Sequence, residues 1–444
     1  MQRSRNGRMT PTQPSQNGHG SDEQAPRARQ RAFCVAALPR GEDDLAELAE
    51  LLRTAGVGVV GEMIQQRDQP HPNTYLGPGK VAEAKAAAKA ADANLIACDD
   101  ELTARQERNL EEAVGLPVVD RTTVILDIFA SHAGSAEGKL QVELAQLEYN
   151  LARMRGLWTH LERLGGGIGT RGPGETQIET DRRLARDRIA ALRRRLEHVK
   201  GTRAVQRAER ERASLPTVAL VGYTNAGKST LLNAMTGADV GVRDRLFHTL
   251  DPTTRELRLS GRTHLLTDTV GFISKLPHQL VEAFAATLEE TRRADLLVHV
   301  LDASAPEEQL EIMRHSVEQT LEEIGAGDQP RLLVLNKADL LDQGARDELR
   351  LRHPEAVLVS AANGEGLAEL GERIERELAH TLRRVELLVP YADGGSLAEL
   401  HDVAGDVSRE DTPEGVRVRA LVPARLAQRF ERFAIAPSPR PIAS

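Results

Sequence analysis

From Ala32 to about Ala133, short apolar runs alternate with longer amphipathic stretches. AFCVAAL, VGVVGEMI, NLIACDD and LPVVD read as strands, whereas DDLAELAELLRTAG, KVAEAKAAAKAADA and ARQERNLEEAVG read as helices. Such alternation predicts a small α/β subdomain with a mainly parallel sheet over residues 31–134. From Leu140 the period changes. Leu140, Leu144, Leu147, Leu151 and Met154 are four and three residues apart, and Ala185, Ile189, Leu192, Leu196 and Val199 repeat that spacing. Two heptad-like seams joined by a compact break predict an antiparallel helical hairpin over 135–214. Its connection is GGGIGTRGPGETQIETDRR, Gly165 to Arg183. From Pro216 to His380 the βα alternation returns in PTVALVG, HLLTDTVG, DLLVHVLDAS, RLLVLNKAD and AVLVSAA, each ending in a polar or glycine-rich loop. This predicts a second α/β domain over 215–380, with ligands expected at the carboxyl ends of its strands. Beyond it, VELLVP, SLAELHDVAG, EGVRVRALVP and ARLAQRFERF predict a small α+β unit over 385–444. Residues 1–30 have too few large apolar side chains to repay ordering, so a disordered tail is expected there.

Composition narrows the class. The chain has 444 residues, too many for one core. At 40% hydrophobic and 28% charged residues it fits a soluble globular protein. Cys34 and Cys98 offer neither a disulfide framework nor a metal cluster and read as reduced thiols. No apolar run approaches the ~20 residues that cross a bilayer, and no signal-peptide core stands at the N-terminus. A cytoplasmic location is therefore expected. The net charge of −8 is unevenly spread. Residues 151–214 hold 16 Lys and Arg against 8 Asp and Glu, leaving the rest of the chain at −16. A basic element in an acidic protein suits a polyanion contact; a solvated face of Arg–Glu pairs explains it equally well.

The stretch GYTNAGKST spans Gly222, Tyr223, Thr224, Asn225, Ala226, Gly227, Lys228, Ser229 and Thr230. It matches G-x-x-x-x-G-K-[ST] between a predicted strand and a predicted helix, the context a phosphate loop requires. The glycines let backbone N–H groups face phosphate oxygens, and the helix N-terminus adds positive potential. Lys228 is positioned for the β- and γ-phosphates and Ser229 for Mg²⁺. DTVG (Asp268, Thr269, Val270, Gly271) ends a strand: Asp268 suits an outer-sphere contact to Mg²⁺, and the Gly271 N–H a bond to the γ-phosphate. NKAD (Asn336, Lys337, Ala338, Asp339) ends another. A buried Asp339 would accept two N–H bonds from guanine and be left unpaired by adenine. Backbone N–H groups of Ser360, Ala361 and Ala362 suit the guanine O6. Four motifs in this order, each at a strand end, predict a P-loop GTPase domain.

Between the phosphate loop and DTVG lies FHTLDPTTR. A switch needs a threonine to complete the Mg²⁺ and γ-phosphate shell; Thr249, Thr253 and Thr254 all qualify, and spacing does not choose. Thr253 and Thr254 also suit the opening of a following strand. Phe272 stands where many small GTPases carry a water-orienting glutamine, so slow intrinsic hydrolysis with a group supplied by a partner is expected. Phe272 is equally suited to packing. Asn225 is a candidate for holding K⁺ near the phosphates.

These motifs, with TYLGPGKVAE, DRTTVILDIFASHA, EGKLQVELAQLEY and GGGIGTRGPGETQIETDRR, resemble the HflX family of GTPases over about Ala32 to Ala379. The resemblance implies a monomeric cytosolic enzyme that converts GTP to GDP and phosphate. It implies binding to the large ribosomal subunit near the peptidyl-transferase centre and dissociation of stalled or idle ribosomes, often in stress. By alignment the switch threonine falls on Thr249, with GTP contacts along Phe247, His248, Thr249, Leu250 and Asp251; His248 replaces a residue usually small. Catalytic roles then fall on Lys228, Thr249 and Gly271, and metal ligation on Ser229 and Thr249. The hairpin gains a reading as well. A glycine-rich tip approaches RNA backbone where side chains would clash. Arg153, Arg155, Arg163, Arg171, Arg182 and Arg183 would neutralise phosphates. Trp158 would stack on a base or pack internally.

Overall fold

The computed structural model describes residues 30–41, 44–154, 173–212, 215–238, 246–247, 252–275, 285–380, 382–423 and 427–435. The first unit is a four-stranded parallel sheet in the order β2-β1-β3-β4. Its strands are β1 (Arg31–Leu38), β2 (Gly58–Gln66), β3 (Leu95–Cys98) and β4 (Val118–Asp120). Helices α1 (Ala46–Thr54), α2 (Pro78–Ala90), α3 (Ala104–Val114) and α4 (Arg121–His132) cover it. The apolar run of β1 is continuous because both its faces are covered. Ala32, Cys34, Ala36 and Leu38 join the core containing α1 and α4, while Phe33, Val35 and Ala37 join that of α2 and α3. A Thr103–Gln106 capping box starts α3, and Gly115 in the left-handed region ends it. Asp120 caps α4 by accepting the Thr123 N–H.

The hairpin follows. Helix α5 (Ala136–Met154) lies against α6 (Pro173–Arg212). Leu140 and Leu144 meet Ile189, Leu192 and Leu196, with Leu147 and Leu151 alongside, so the two sequence seams face each other. Arg188–Glu143 and Arg193–Glu148 flank the seam at 2.6 and 2.7 Å. These exposed pairs use part of the basic surplus within the hairpin.

The sheet of the second α/β domain runs β10-β9-β8-β5-β7-β6. It comprises β5 (Thr217–Gly222), β6 (Thr253–Leu259), β7 (Arg262–Asp268), β8 (Leu296–Asp302), β9 (Arg331–Asn336) and β10 (Val357–Leu358). All neighbours are parallel except β6–β7. Helices α7 (Lys228–Thr236), α8 (Ala285–Arg293), α9 (Glu307–Glu323), α10 (Gln343–Arg352) and α11 (Leu367–His380) complete it. Thr253 and Thr254 open β6, the structural role weighed for them above.

The C-terminal unit is an antiparallel sheet, β11-β13-β12, with helix α12 (Gly394–Val403). Strands β11 (Leu382–Val389) and β13 (Gly415–Pro423) match the apolar runs. Strand β12 (Gly405–Thr412), GDVSREDT, was not among the expected elements, because it lacks apolar alternation and takes its form from pairing with β13. ARLAQRFERF yields a 3₁₀ helix, Gln428–Phe433. Among the described residues no helix is long and apolar enough to cross a membrane.

The first unit and the second α/β domain share one hydrophobic cluster. Ile125, Ile128 and Phe129 of α4 belong to it together with Val221, Tyr223, Leu246, Phe247, Val270, Phe272 and Ile273.

Candidate nucleotide site

The phosphate loop forms where β5 ends, at the edge between its neighbours β8 and β7. Gly222 has φ +152, and a Cβ there would collide with the Val300 carbonyl oxygen. Gly227 has φ +87, and its Cβ would collide with Asn336 Nδ2. Both glycines are thus required, one for close strand approach and one for the turn into α7. Lys228 is buried and donates to the carbonyls of Gly222 at 3.0 Å and Tyr223 at 2.8 Å. An ammonium has three donors, so a third remains for a phosphate oxygen. Burial pulls the Lys228 pKa down to about 8, against the raising influence of Asp268.

That value carries a prediction. A polyphosphate raises the pKa again, so nucleotide binding takes up a proton wherever the free protein has lost it. The sign follows: affinity is full below about pH 8 and falls as pH rises through it, by up to about tenfold per pH unit. Titration of a fluorescent GDP between about pH 7 and about pH 9, with calorimetry in buffers of different ionisation heat, measures this linkage. A flat profile without proton uptake would refute it.

Ser229 Oγ donates to Asp268 Oδ2 at 2.6 Å, bringing the end of β7 to the start of α7. This hard-oxygen pair fits Mg²⁺ chemistry. Thr269 is fully buried and donates to the Leu220 carbonyl at 2.6 Å. Val270 is buried. Gly271 lies tightly against the loop, since a Cβ there would stand 2.9 Å from Thr224 Cγ2 and 3.1 Å from Lys228 Nζ. Phe272 is fully buried, and its packing reading holds. Its N–H donates to the Gly222 carbonyl at 3.1 Å, and its carbonyl accepts the Thr224 N–H at 2.8 Å. Asn225 is exposed with φ +60, Ala226 is buried, and Thr230 is half-buried in the first turn of α7. Phe247 is buried, whereas His248, Thr249, Leu250 and Asp251 lie outside the described residues.

The base end is tied to the phosphate end by Asn336. Its Nδ2 donates to the Ala226 carbonyl at 2.9 Å, and its Oδ1 accepts the Ala361 N–H at 3.0 Å. Lys337, with φ +66, donates to Asp302 Oδ2 at 2.6 Å, and the Ala338 N–H bonds the Val359 carbonyl at 3.0 Å. Asp339 departs from expectation. It is exposed rather than buried, because it sits past the strand end at the open crevice, and its Oδ1 accepts from Ser360 Oγ at 2.5 Å. Ser360 is buried, Ala361 is buried and Ala362 is exposed.

A polar cluster unforeseen in the sequence joins this site to the first unit. The Tyr223 hydroxyl donates to Glu47 and accepts the Ser274 N–H at 2.7 Å. Ser274 Oγ also donates to Glu47. Arg121, 2% exposed, donates to Glu47, to Asp99 at 2.8 Å and to the Ser274 carbonyl at 3.1 Å. Lys275 pairs with Asp99 at 2.8 Å and Asp100 at 2.7 Å. The Phe129 and Phe247 rings meet edge to face with centroids 4.6 Å apart. The one hint in the sequence was Tyr223, a large hydroxylated side chain where the loop uses only backbone.

Arg153 corrects another expectation. It bonds Asp120 at 2.7 Å and Glu107 at 2.9 Å and lies over the Tyr149 ring, so its charge is spent inside the protein. Arg155, Trp158, Arg163 and Arg171 lie outside the described residues.

Three family models match in succession: GTP-binding GTPase N-terminal over residues 42–130, GTP-binding GTPase Middle Region over 132–210, and 50S ribosome-binding GTPase over 217–337. The GTPase HflX of Caldanaerobacter subterraneus subsp. tengcongensis is 48% identical over 419 residues, covering 93% of this chain and 96% of that protein. The chain belongs to the HflX family of GTPases. The GTPase HflX of Escherichia coli K12 is 45% identical over 384 residues, 85% of this chain and 89% of the relative. Among solved structures, a GTP-binding protein from Sulfolobus solfataricus in complex with GDP is 26% identical, with a TM-score of 0.41, covering 78% of this chain and 98% of that one. As an HflX-family P-loop GTPase, the protein binds GTP and GDP and hydrolyses GTP.

Proposed function

We propose that this HflX-family GTPase binds the large ribosomal subunit and its RNA through the α5–α6 hairpin and its glycine-rich tip, and couples GTP binding and hydrolysis to dissociation of stalled or idle ribosomes. The observation that carries the reading is a bonded route from nucleotide loop to hairpin. Tyr223 and Ser274 meet Glu47 and Arg121. The residue before Arg121 is Asp120, which accepts from Tyr149 and Arg153 of α5. A rearrangement of residues 271–275 with the γ-phosphate would strain this junction and so bias the hairpin's position. Sequence similarity lends further support, through the family membership and the match over 217–337 to a model described as 50S ribosome-binding GTPase.

In this reading Lys228 and the Gly271 N–H stabilise charge developing on the γ-phosphate. Thr249 and Ser229 are the assigned Mg²⁺ ligands. Bound Mg²⁺ would neutralise the β- and γ-oxygens, and K⁺ held near Asn225 would add to this. Buried Phe272 cannot place the attacking water, so ribosomal contact supplies that missing step. Domain bounds of 31–134, 135–214, 215–380 and 385–444 accompany the proposal.

GTP turnover with and without purified ribosomes, repeated with Gly165–Arg171 shortened, tests it. Stimulation that disappears with the tip is expected. RNA binding should weaken steeply with salt, the logarithmic slope falling by about 0.7–0.9 for each phosphate contact removed. Absence of stimulation by either subunit or by whole ribosomes would overturn the reading in favour of a protein-directed switch.

A further inference from the structure

Outside the nucleotide site, one buried side chain points at a pair of carboxylates. Glu307 and Glu311 stand one turn apart on α9 and therefore share a face. His353 follows the last residue of α10. It is 5% exposed, and its Nε2 has no hydrogen-bond partner, while lying 3.5 Å from Glu307 Oε1. One potential ligand atom from each of the three residues lies within 4.8 Å of the others. A buried ring nitrogen left unbonded is costly, and an ion between these groups would remove the cost.

We propose that Glu307, Glu311 and His353 form a binding site for a divalent transition-metal ion of the Zn²⁺ type, separate from the Mg²⁺ of the nucleotide. One imidazole with two carboxylates is a borderline donor set, matched to Zn²⁺, Co²⁺ or Mn²⁺ rather than to all-oxygen Mg²⁺ or Ca²⁺. Bonds of about 2.0–2.2 Å at tetrahedral angles put ligand atoms roughly 3.4 Å apart. The His353–Glu307 pair already has that spacing. The pairs with Glu311 must close by at most about 1.4 Å to reach that spacing, which Glu311 supplies by a rotamer change, its side chain being 47% exposed. Water takes the fourth position.

Two arginines define the neighbourhood. Arg352 Nη1 stands 3.2 Å from Glu307 Oε2, the oxygen turned away from His353. It can keep that contact while Oε1 ligates, the kind of outer support that metal-bound carboxylates have. Arg314 lies 3.5 Å from Glu311 Oε1 and 3.6 Å from Glu318, so it has a second partner when Glu311 turns. The ion would fasten the start of α9 to the end of α10. These helices follow Asp302 and Asp339 in the chain, and the Asp302–Lys337 bond already joins those two strand ends. The site therefore links the two helices that follow those strand ends, away from the residues of the nucleotide motifs.

The test uses the full chain saturated with Mg²⁺ and GDP, so that the nucleotide site is filled. Co²⁺ alone is titrated and read by visible absorption, then displaced with Zn²⁺. One equivalent is expected. His353→Gln and Glu311→Gln should each lower Co²⁺ affinity by at least about tenfold, with GDP affinity unchanged. Should His353→Gln fail to fold, Glu311→Gln at the exposed side decides alone. No Co²⁺ uptake by the natural chain, or unchanged uptake by either folded variant, would overturn the proposal.

Discussion

Gly227→Ala should lower guanine nucleotide affinity by at least about 100-fold, near 3 kcal/mol. Two costs combine. An alanine held at φ +87 pays about 1–2 kcal/mol for the left-handed region. Its Cβ also drives Asn336 from the space it occupies, breaking the bonds to Ala226 and Ala361, each worth about 1 kcal/mol. Phosphate loop and base loops therefore lose their common tie in one substitution. Titration with a fluorescent GDP measures the loss, and Asn336→Ala separates the two costs because it breaks the tie without the backbone strain. Affinity within threefold of the natural chain for Gly227→Ala would show that the Asn336 tie is dispensable.

Arg121→Ala should be the most destabilising single change at the junction, at about 3–5 kcal/mol. Removing Arg121 leaves Asp99, whose side chain is 9% exposed, and Glu47 facing one another without their shared cation. Lys275 still reaches Asp99, which softens the effect, but nothing else described here reaches Glu47 with positive charge. Loss of the first thermal transition by about 10 °C is expected, measured by calorimetry with GDP present. A shift below about 2 °C would mean that the apolar cluster, not the ion pairs, holds the two units together.

Local chemistry made much of this site legible in the sequence. Gly222, Gly227, Lys228, Asp268 and Asn336 belong to motifs whose spacing is set by phosphate and backbone geometry, so chain order alone reveals them. The parallel strands were legible because burial on both faces writes a continuous apolar run, as in β1. Strand β12 was not, because its polar residues adopt the extended form only beside β13. The junction was hidden for a different reason. Tyr223 and Glu47 lie 176 residues apart, and Ser274 and Glu47 lie 227 apart. Glu47 in the first turn of α1 reads like any helix-start carboxylate. Arg153 was misassigned to RNA because a one-dimensional charge count does not reveal Asp120 and Glu107 opposite it. Asp339 was expected inside because the motif implies a base stacked over it, whereas its position past the end of β9 leaves the side chain at the open crevice.

The shared cluster places α4 against Phe247, Phe272 and Ile273, directly after the DTVG segment, and Arg121 of α4 bonds the Ser274 carbonyl. α4 is part of the same chain, so a separate protein seeking that face must first displace it, and the competitor's apparent affinity falls by the ratio of α4's effective concentration to α4's own dissociation constant. Traffic with other molecules must then arrive through surfaces that α4 leaves open, and whatever pulls on the hairpin competes directly with this intramolecular ligand.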